Sequence, residues 1–133
     1  MEEEVMFSKE WLDSFGRRWN NDAEMVQPLA AANFRAVLAF GFVAQTNPTV
    51  LIQVDNGRVT RAGLFNPVGT PKADWDLRAT PQQWEEWKKQ GLSVLQLGVA
   101  VSSGKLQFKT GDYRKMIRSP SLAAPFLRFF KLL

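Results

Sequence analysis

The stretch Lys72–Asp112, KADWDLRATPQQWEEWKKQGLSVLQLGVAVSSGKLQFKTGD, carries the most specific local signals of the 133-residue chain. Its first residues alternate between apolar and charged side chains, which is the period-2 pattern of a strand with one buried face. The charged positions Asp74, Asp76 and Arg78 are therefore predicted to share the solvent face of that strand.

A helix is predicted directly after this strand. Thr80 stands at the N-cap and Pro81 at the first helical position. The side chain of Gln83 is expected to reach back to the N–H of the N-cap residue, as in a capping box. Trp84 and Trp87 share one helix face at i, i+3 spacing.

The second half of the stretch returns to a strand. Residues 92–101 are apolar and predict a further helical piece, and Ser103-Gly104 then turns the chain. Residues 105–109 alternate and predict a strand with a single apolar face. Asp112 follows this strand and is predicted to cap the next helix rather than to act as an acid.

The residues before the stretch predict a helix and a hairpin. The bulky face of an amphipathic helix at residues 8–20 is an i, i+4 row of rings: Phe7, Trp11, Phe15 and Trp19. Residues 34–45 predict the first strand. Asp55-Asn56-Gly57-Arg58 is the strongest hairpin signal, because both central residues of a type I′ turn need a positive φ.

Helices at both ends bracket this strand-rich centre. The C-terminal part contributes a short helix at residues 113–118 and an aromatic, leucine-rich segment at residues 121–133. The pattern favours an α+β fold in which helices cover one face of a sheet. The length predicts a single domain, residues 1–133.

The order of these signals resembles the sterol carrier protein type two family, small domains that carry sterols and other lipids. In that family an Ala-Asp strand precedes a helix with an aromatic residue, and a Gly-Lys-Leu strand ends in Gly-Asp. The matching positions are Ala73-Asp74, Trp84, Gly104-Lys105-Leu106 and Gly111-Asp112. The resemblance covers nearly the whole chain. It implies a five-stranded, mostly antiparallel sheet with helices packed on one face and a hydrophobic tunnel between the two layers.

One segment departs from the family pattern. Residues 92–103 form a longer and more apolar link between helix and strand than is usual in the family. The wall of the pocket is therefore expected to differ there.

Composition excludes several kinds of chemistry. The chain has no cysteine and no histidine, which removes disulfides, thiolate zinc sites, the usual general base and every Ser-His or Cys-His arrangement. We therefore predict no metal, no cofactor and no enzymatic activity. Apolar runs are too short to span a membrane, and the acidic start MEEEVMF is unlike a signal peptide, so a cytoplasmic location is expected.

Charge is distributed unevenly along the chain. Residues 1–24 carry seven acids and three bases, whereas residues 109–133 carry six bases and one acid. Two interpretations remain open. The basic end attracts anionic lipid or nucleic acid, or the two ends attract one another across a solvated rim.

Catalysis and nucleic-acid binding both lack support in the sequence. The pair Asp74 and Asp76 is better explained by a solvent-facing strand than by shared acid–base work, and no glycine-rich nucleotide loop is present. The phenylalanines near the basic C-terminus recur at helical spacing beside leucines, which favours burial over base stacking. An enzyme on another α+β fold that uses an Asp-His pair is disfavoured because histidine is absent.

Aromatic residues provide the candidate site. The five tryptophans and ten phenylalanines fill a core or line a dry cavity, and composition does not distinguish these outcomes. Rings facing a sheet are expected to pack with difficulty, and together with the resemblance this favours the cavity. The predicted wall of this hydrophobic pocket consists of Trp11, Phe15, Phe34, Leu38, Phe40, Phe42, Trp84, Trp87, Leu95, Phe126 and Phe130.

We therefore predict non-enzymatic binding or transfer of a hydrophobic ligand: a lipid, fatty acyl chain, sterol or isoprenoid. The segment from Phe126 to Leu133 is expected to contact a membrane transiently, to act as a lid, or to pack permanently over the pocket. The alternative is an accessory protein–protein interaction module that carries no cargo. The oligomeric state does not follow from the sequence.

Overall fold

The computed structural model describes residues 5–69 and 71–133. The helices and strands follow in the order α1 (Lys9–Asn20), α2 (Ala23–Ala31), β1 (Ala36–Phe42), β2 (Val50–Asp55), β3 (Arg58–Leu64), β4 (Trp75–Ala79), α3 (Pro81–Gln90), α4 (Val94–Ser102), β5 (Gln107–Thr110), α5 (Tyr113–Arg118) and α6 (Pro120–Leu132).

The five strands form one mixed sheet in the order β3-β2-β1-β4-β5. Neighbouring strands are antiparallel except for β1 and β4, which run parallel with Phe40 opposite Leu77. The parallel pair lies at the centre of the sheet. After β3, at one edge, the chain passes over β2 and β1, and β4 then joins the sheet on the far side of β1. The predicted α+β fold with a mostly antiparallel five-stranded sheet is confirmed.

Local signals account for most helix boundaries. Ser8, Asp22, Thr80 and Asp112 cap α1, α2, α3 and α5 through side-chain oxygens that accept backbone N–H groups. The predicted capping box at Gln83 is wrong, because its amide donates to Glu86 instead, 3.2 Å away. A full capping box occurs at the start of α4, between Ser93 and Gln96.

The β2–β3 hairpin turns at Asn56-Gly57, where φ is 51° and 83°. This tip packs closely on the helices. The carbonyl of Gly57 accepts the indole N–H of Trp19 at 2.9 Å. A Cβ on Gly57 would lie 2.6 Å from the backbone nitrogen of Ala30. Glycine is therefore required both by the turn and by the contact with α2.

The side chains of Asp76 and Arg78 are not on a solvent face, and that prediction is wrong. Both residues are buried, and Arg78 donates two hydrogen bonds to Asp76, at 2.6 and 2.9 Å. The guanidinium also donates to the carbonyl of Gln45 at 2.8 Å. The strand predicted at residues 34–45 ends at Phe42, and the turn that follows brings the carbonyl groups of Gln45 and Thr46 to Arg78.

The two faces of the sheet therefore have different covers. Phe40 and Leu77 point toward the helices, and the hydrophobic core lies there. Ala39, Leu51 and Asp76 lie opposite one another on the other face, which loops cover. Any apolar site between helices and sheet has to form on the first face.

Candidate functional site

A pocket opens between the sheet and the helices at the end of the core where β1 and β4 begin. Its volume is about 40 Å³, counted as the space that the centre of a water-sized sphere can occupy. Strands β1 and β4 form the floor, and α2, α5 and α6 form the walls. The lining residues are Trp19, Met25, Leu29, Phe34, Leu38, Phe40, Trp75, Leu77, Met116, Leu122, Pro125, Phe126 and Phe129.

Every residue in this lining is apolar. Leu38 and Leu77 are buried on the floor, and Met25 is buried on the α2 side. Phe34 and Leu122 are only partly buried, so they mark the rim where the pocket reaches the surface. Such a pocket offers a ligand burial without directional hydrogen bonds, and it stays dry when empty.

The pocket is small in this conformation. About 10–15 Å³ of comparable volume holds one water molecule, and an apolar cavity of about 150 Å³ takes up benzene. A lipid tail is larger than benzene. Its entry therefore requires the walls to move apart.

The structure brings four of the predicted wall residues to this pocket: Phe34, Leu38, Phe40 and Phe126. Six others lie outside the lining, in a ring cluster that contacts it through Phe40, Phe126 and Phe129: Trp11, Phe15, Phe42, Trp84, Trp87 and Phe130. All of these six except the partly buried Phe42 are buried.

Leu95 is the exception among the predicted residues. Its side chain is 79% exposed on α4, whereas Leu97 and Ala100 form the buried face of that helix. Residues 92–101 were predicted as an apolar helical piece, and Leu95 was placed in the pocket wall. However, α4 lies at the β5 edge of the sheet, where only one of its faces meets the core.

The rings pack against each other more closely than the sequence analysis expected. Trp84 contacts Phe7 edge-on at 5.3 Å and Trp87 edge-on at 5.4 Å between ring centroids. Trp11 stacks on Phe15 at 4.8 Å. Alternating edge-on and stacked contacts fill space efficiently. The expectation that rings facing the sheet pack with difficulty is therefore wrong for this cluster.

Sequence reasoning missed nine lining residues: Trp19, Met25, Leu29, Trp75, Leu77, Met116, Leu122, Pro125 and Phe129. Two features of the sequence could have identified four of these residues. Met25 and Leu29 are four residues apart on α2, and Trp75 and Leu77 occupy the inner positions of β4. The predicted wall consisted mainly of rings, whereas the flexible side chains of Met25 and Met116 also border the gap.

Helix α6 is held in place at its C-terminal end. Trp11 donates its indole N–H to the carbonyl of Leu133 at 3.1 Å, and Arg18 donates to the carbonyl of Leu132 at 2.7 Å. The side chains of Phe129 and Phe130, on the inner face of α6, are buried. A membrane contact through these rings would require α6 to leave the sheet.

The two oppositely charged ends of the chain meet at α2 and α6. Arg128 pairs with Asp22 at 2.8 Å and with Glu24 at 3.2 Å. The hydrogen bond to Asp22 raises the pKa of Arg128 above its ordinary value, so the guanidinium stays charged. The interpretation in which the ends attract one another therefore holds for this basic residue.

The acidic groups considered for catalysis have structural partners. Asp74 accepts the backbone N–H of Val37 at 2.8 Å, and Asp112 caps α5. Within residues 5–69 and 71–133, acidic side chains form no group of three that would hold a metal ion. No helix in this described part of the chain is long and apolar enough to cross a bilayer.

Sequence comparison finds no matching protein-family model and no matching curated protein. Solved structures match over nearly the full length. The chain is similar to a crystal structure of sterol carrier protein 2, with 20% identity, a TM-score of 0.69, and coverage of 96% of this chain and 95% of that one.

Two further structures match at similar coverage. One is a conserved hypothetical protein, possibly a sterol carrier protein, from Thermus thermophilus, with 19% identity, a TM-score of 0.64, and coverage of 98% and 91%. The other is a ubiquinone synthesis protein, UbiJ-SCP2, with 12% identity, a TM-score of 0.62, and coverage of 99% and 94%. The resemblance read from the sequence is thus confirmed at the level of architecture, and the chain has the sterol-carrier-protein-2 fold.

Proposed function

We propose that the protein binds a hydrophobic small molecule and carries it without chemical change. The observation that carries this proposal is the wholly apolar pocket between Leu38 and Leu77 on the sheet and Met25 and Met116 on the helices. The fold supports it, because sterol carrier protein 2 has the same architecture.

The ligand enters, on this proposal, by displacing α5 and the first half of α6. Met116, Leu122 and Phe126 come from this part of the chain and form one wall. The N-cap of α6, Ser119, makes no side-chain capping hydrogen bond. The other end of α6 is tied to Trp11 and Arg18, so the helix opens as a lid hinged near its C-terminus.

The proposed ligand class is broad. A lipid, a fatty acyl chain, a sterol and an isoprenoid all bury apolar surface, and an apolar wall discriminates weakly among them. The similarity to a structure titled ubiquinone synthesis protein adds quinones with isoprenoid tails to the set worth testing.

A second candidate function is an interaction module without cargo. The small pocket volume, about 40 Å³, favours it, because the closed conformation already buries its own core. On this alternative the pocket is a packing defect, and α6 stays in place.

Thermal unfolding of the delipidated protein separates the two functions. Fatty acids, acyl-CoA, quinones and sterols are added one at a time, and the midpoint temperature is followed. A ligand at one hundred times its dissociation constant stabilises the native state by about 2.7 kcal/mol. For a domain of this size that raises the midpoint by roughly 5–15 °C.

A midpoint that rises with at least one ligand class supports the carrier. Native mass spectrometry of the same sample then gives the stoichiometry, which is expected to be one ligand per chain. A midpoint that stays constant across the whole panel contradicts the carrier and leaves the interaction module.

A further inference from the structure

Helix α4 presents an apolar ridge to solvent. Val94, Leu95 and Val99 are 57%, 79% and 55% exposed, and these three residues are called the α4 ridge below. The opposite face of the helix packs inward through Leu97 and Ala100. The ridge is therefore apolar surface that the core does not bury.

The surroundings of the ridge are free of charge along the helix and basic at its ends. Residues 91–104 contain no charged side chain, and Lys88 and Lys89 precede them. Lys105 follows them and borders the same groove as Leu95. The side chain of Lys131 lies 3.5 Å from the place of a Cβ on Gly91, at the beginning of this segment.

Helix α5 adds further basic residues beside α4. The phenol oxygen of Tyr113 lies 3.6 Å from the place of a Cβ on Gly98, which puts the start of α5 next to the middle of α4. Arg114, Lys115 and Arg118 on α5 are exposed. The acid that precedes them, Asp112, is engaged as the N-cap.

The groove beside the ridge contains one acidic residue. Glu86 borders it, and its carboxylate accepts the side-chain amide of Gln83 at 3.2 Å. Glu85 precedes Glu86 on α3. Against these two acids and Asp112, the segments around the ridge carry seven bases: Lys88, Lys89, Lys105, Arg114, Lys115, Arg118 and Lys131. An uncharged apolar ridge flanked by basic residues suits a membrane interface, because lysine stems extend along apolar surface while their ammonium groups reach the phosphates.

A protein partner fits the ridge less well than a membrane. A standard protein interface buries about 800 Å² on each side and concentrates aromatic anchors. The ridge supplies three aliphatic side chains only. A bilayer surface needs no shape complementarity, and each Lys or Arg near an anionic surface contributes about 1 kcal/mol.

We propose that the α4 ridge and the basic residues around it dock this protein on an anionic membrane surface. Leu95 and Val99 enter the boundary between head groups and acyl chains, and Lys105 with the exposed bases of α5 contacts the head groups. Because α5 also contributes Met116 to the pocket, docking brings the pocket wall close to the bilayer. The proposal does not depend on whether the pocket carries a ligand.

The first test measures burial of the ridge directly. The chain has no cysteine, so a single introduced cysteine takes an environment-sensitive fluorophore at one site. Labelled Val99→Cys is mixed with vesicles of equimolar phosphatidylcholine and phosphatidylglycerol. Its emission is expected to shift to shorter wavelength and rise, because the probe leaves water. Labelled Val68→Cys, at a position 81% exposed, is the control and is expected to remain unchanged.

The second test measures binding by vesicle flotation. Leu95→Gln with Val99→Gln is expected to weaken binding at least about tenfold, because the apolar ridge is lost. Lys105→Ala is expected to weaken it about fivefold, and high salt is expected to do the same. The controls Leu64→Gln and Arg61→Ala lie on β3, at the opposite edge of the sheet, and are expected to bind normally.

Three results would overturn the proposal. They are absence of binding to the anionic vesicles, equal binding to pure phosphatidylcholine, and normal binding of the double ridge variant. Sedimentation of the protein without vesicles is measured alongside. A dimer that the ridge variant converts to a monomer would instead assign the ridge to a second copy of the chain.

Discussion

The core on the helix-covered face of the sheet has two unlike halves. Around Trp84, rings pack on rings, and this residue is completely buried with its indole N–H donating to the carbonyl of Gly41 at 2.9 Å. Around Met116, rings share the lining with methionine and leucine side chains, and the pocket remains. Phe40 and Phe129, stacked at 4.8 Å, lie at the boundary between the two halves.

The contrast shows that ring size alone does not produce a cavity. Rings have complementary edges and faces, so a group of them closes its own gaps. The other half is much less rigid, because flexible thioethers and α5, a helix of six residues, form part of its wall. We therefore expect the ring half to hold the fold together and the methionine half to open.

Trp84→Ala should produce the largest effect. It removes a fully buried ring and leaves the Gly41 carbonyl without its indole donor, so the free energy of unfolding is expected to fall by about 3–5 kcal/mol. Urea unfolding followed by circular dichroism measures this. Trp84→Phe, which keeps a ring, serves as the control and should lose less. A loss below about 1 kcal/mol for the alanine variant would mean that the ring half does not hold the fold.

Leu122→Trp tests the other half by filling the pocket from its rim. The larger side chain is expected to occupy the space of the ligand, so the roughly 2.7 kcal/mol of stabilisation by saturating ligand disappears. Thermal unfolding with and without the best ligand of the panel measures this.

The matched control for this experiment is Leu127→Trp. Leu127 is also partly buried on α6 but does not line the pocket. Retained stabilisation in the control and its loss in Leu122→Trp place the ligand in the pocket. Equal loss in both variants would indicate that any change in α6 prevents binding, and equal retention would place the ligand elsewhere.

Local signals in the sequence were sufficient for much of the fold. Thr80 and Asp112 were identified as caps, and Asn56-Gly57 as a hairpin turn, because each depends on neighbouring residues only. The burial of Asp76 and Arg78 was missed because it depends on the turn at residues 43–48, in which Gln45 and Thr46 lie 33 and 32 positions from Arg78. Alternation within a strand reports which residues share a face, but not what covers that face.

The candidate site was less predictable than the fold. Leu38 and Phe40 follow from the inner face of β1, and Phe34 precedes that strand in the same alternation; all three line the pocket. Met116 and Leu122 reach the pocket only because α5 and α6 fold back over the sheet. Leu95 was misplaced, since the apolar composition of α4 does not reveal that only one of its faces meets the core.

Met25→Leu should produce the smallest effect and so completes the comparison. Met25 is buried at the pocket wall, and a volume-conserving exchange there is expected to cost less than about 1.5 kcal/mol because neighbouring side chains can shift into the gap. Phe15→Leu is the counterpart in the ring half. It removes a ring that stacks on Trp11 and meets Phe129 edge-on, so it should cost more than Met25→Leu in the same urea experiment. Equal costs would mean that the two halves are equally rigid, and the pocket would then have no softer wall through which a ligand enters.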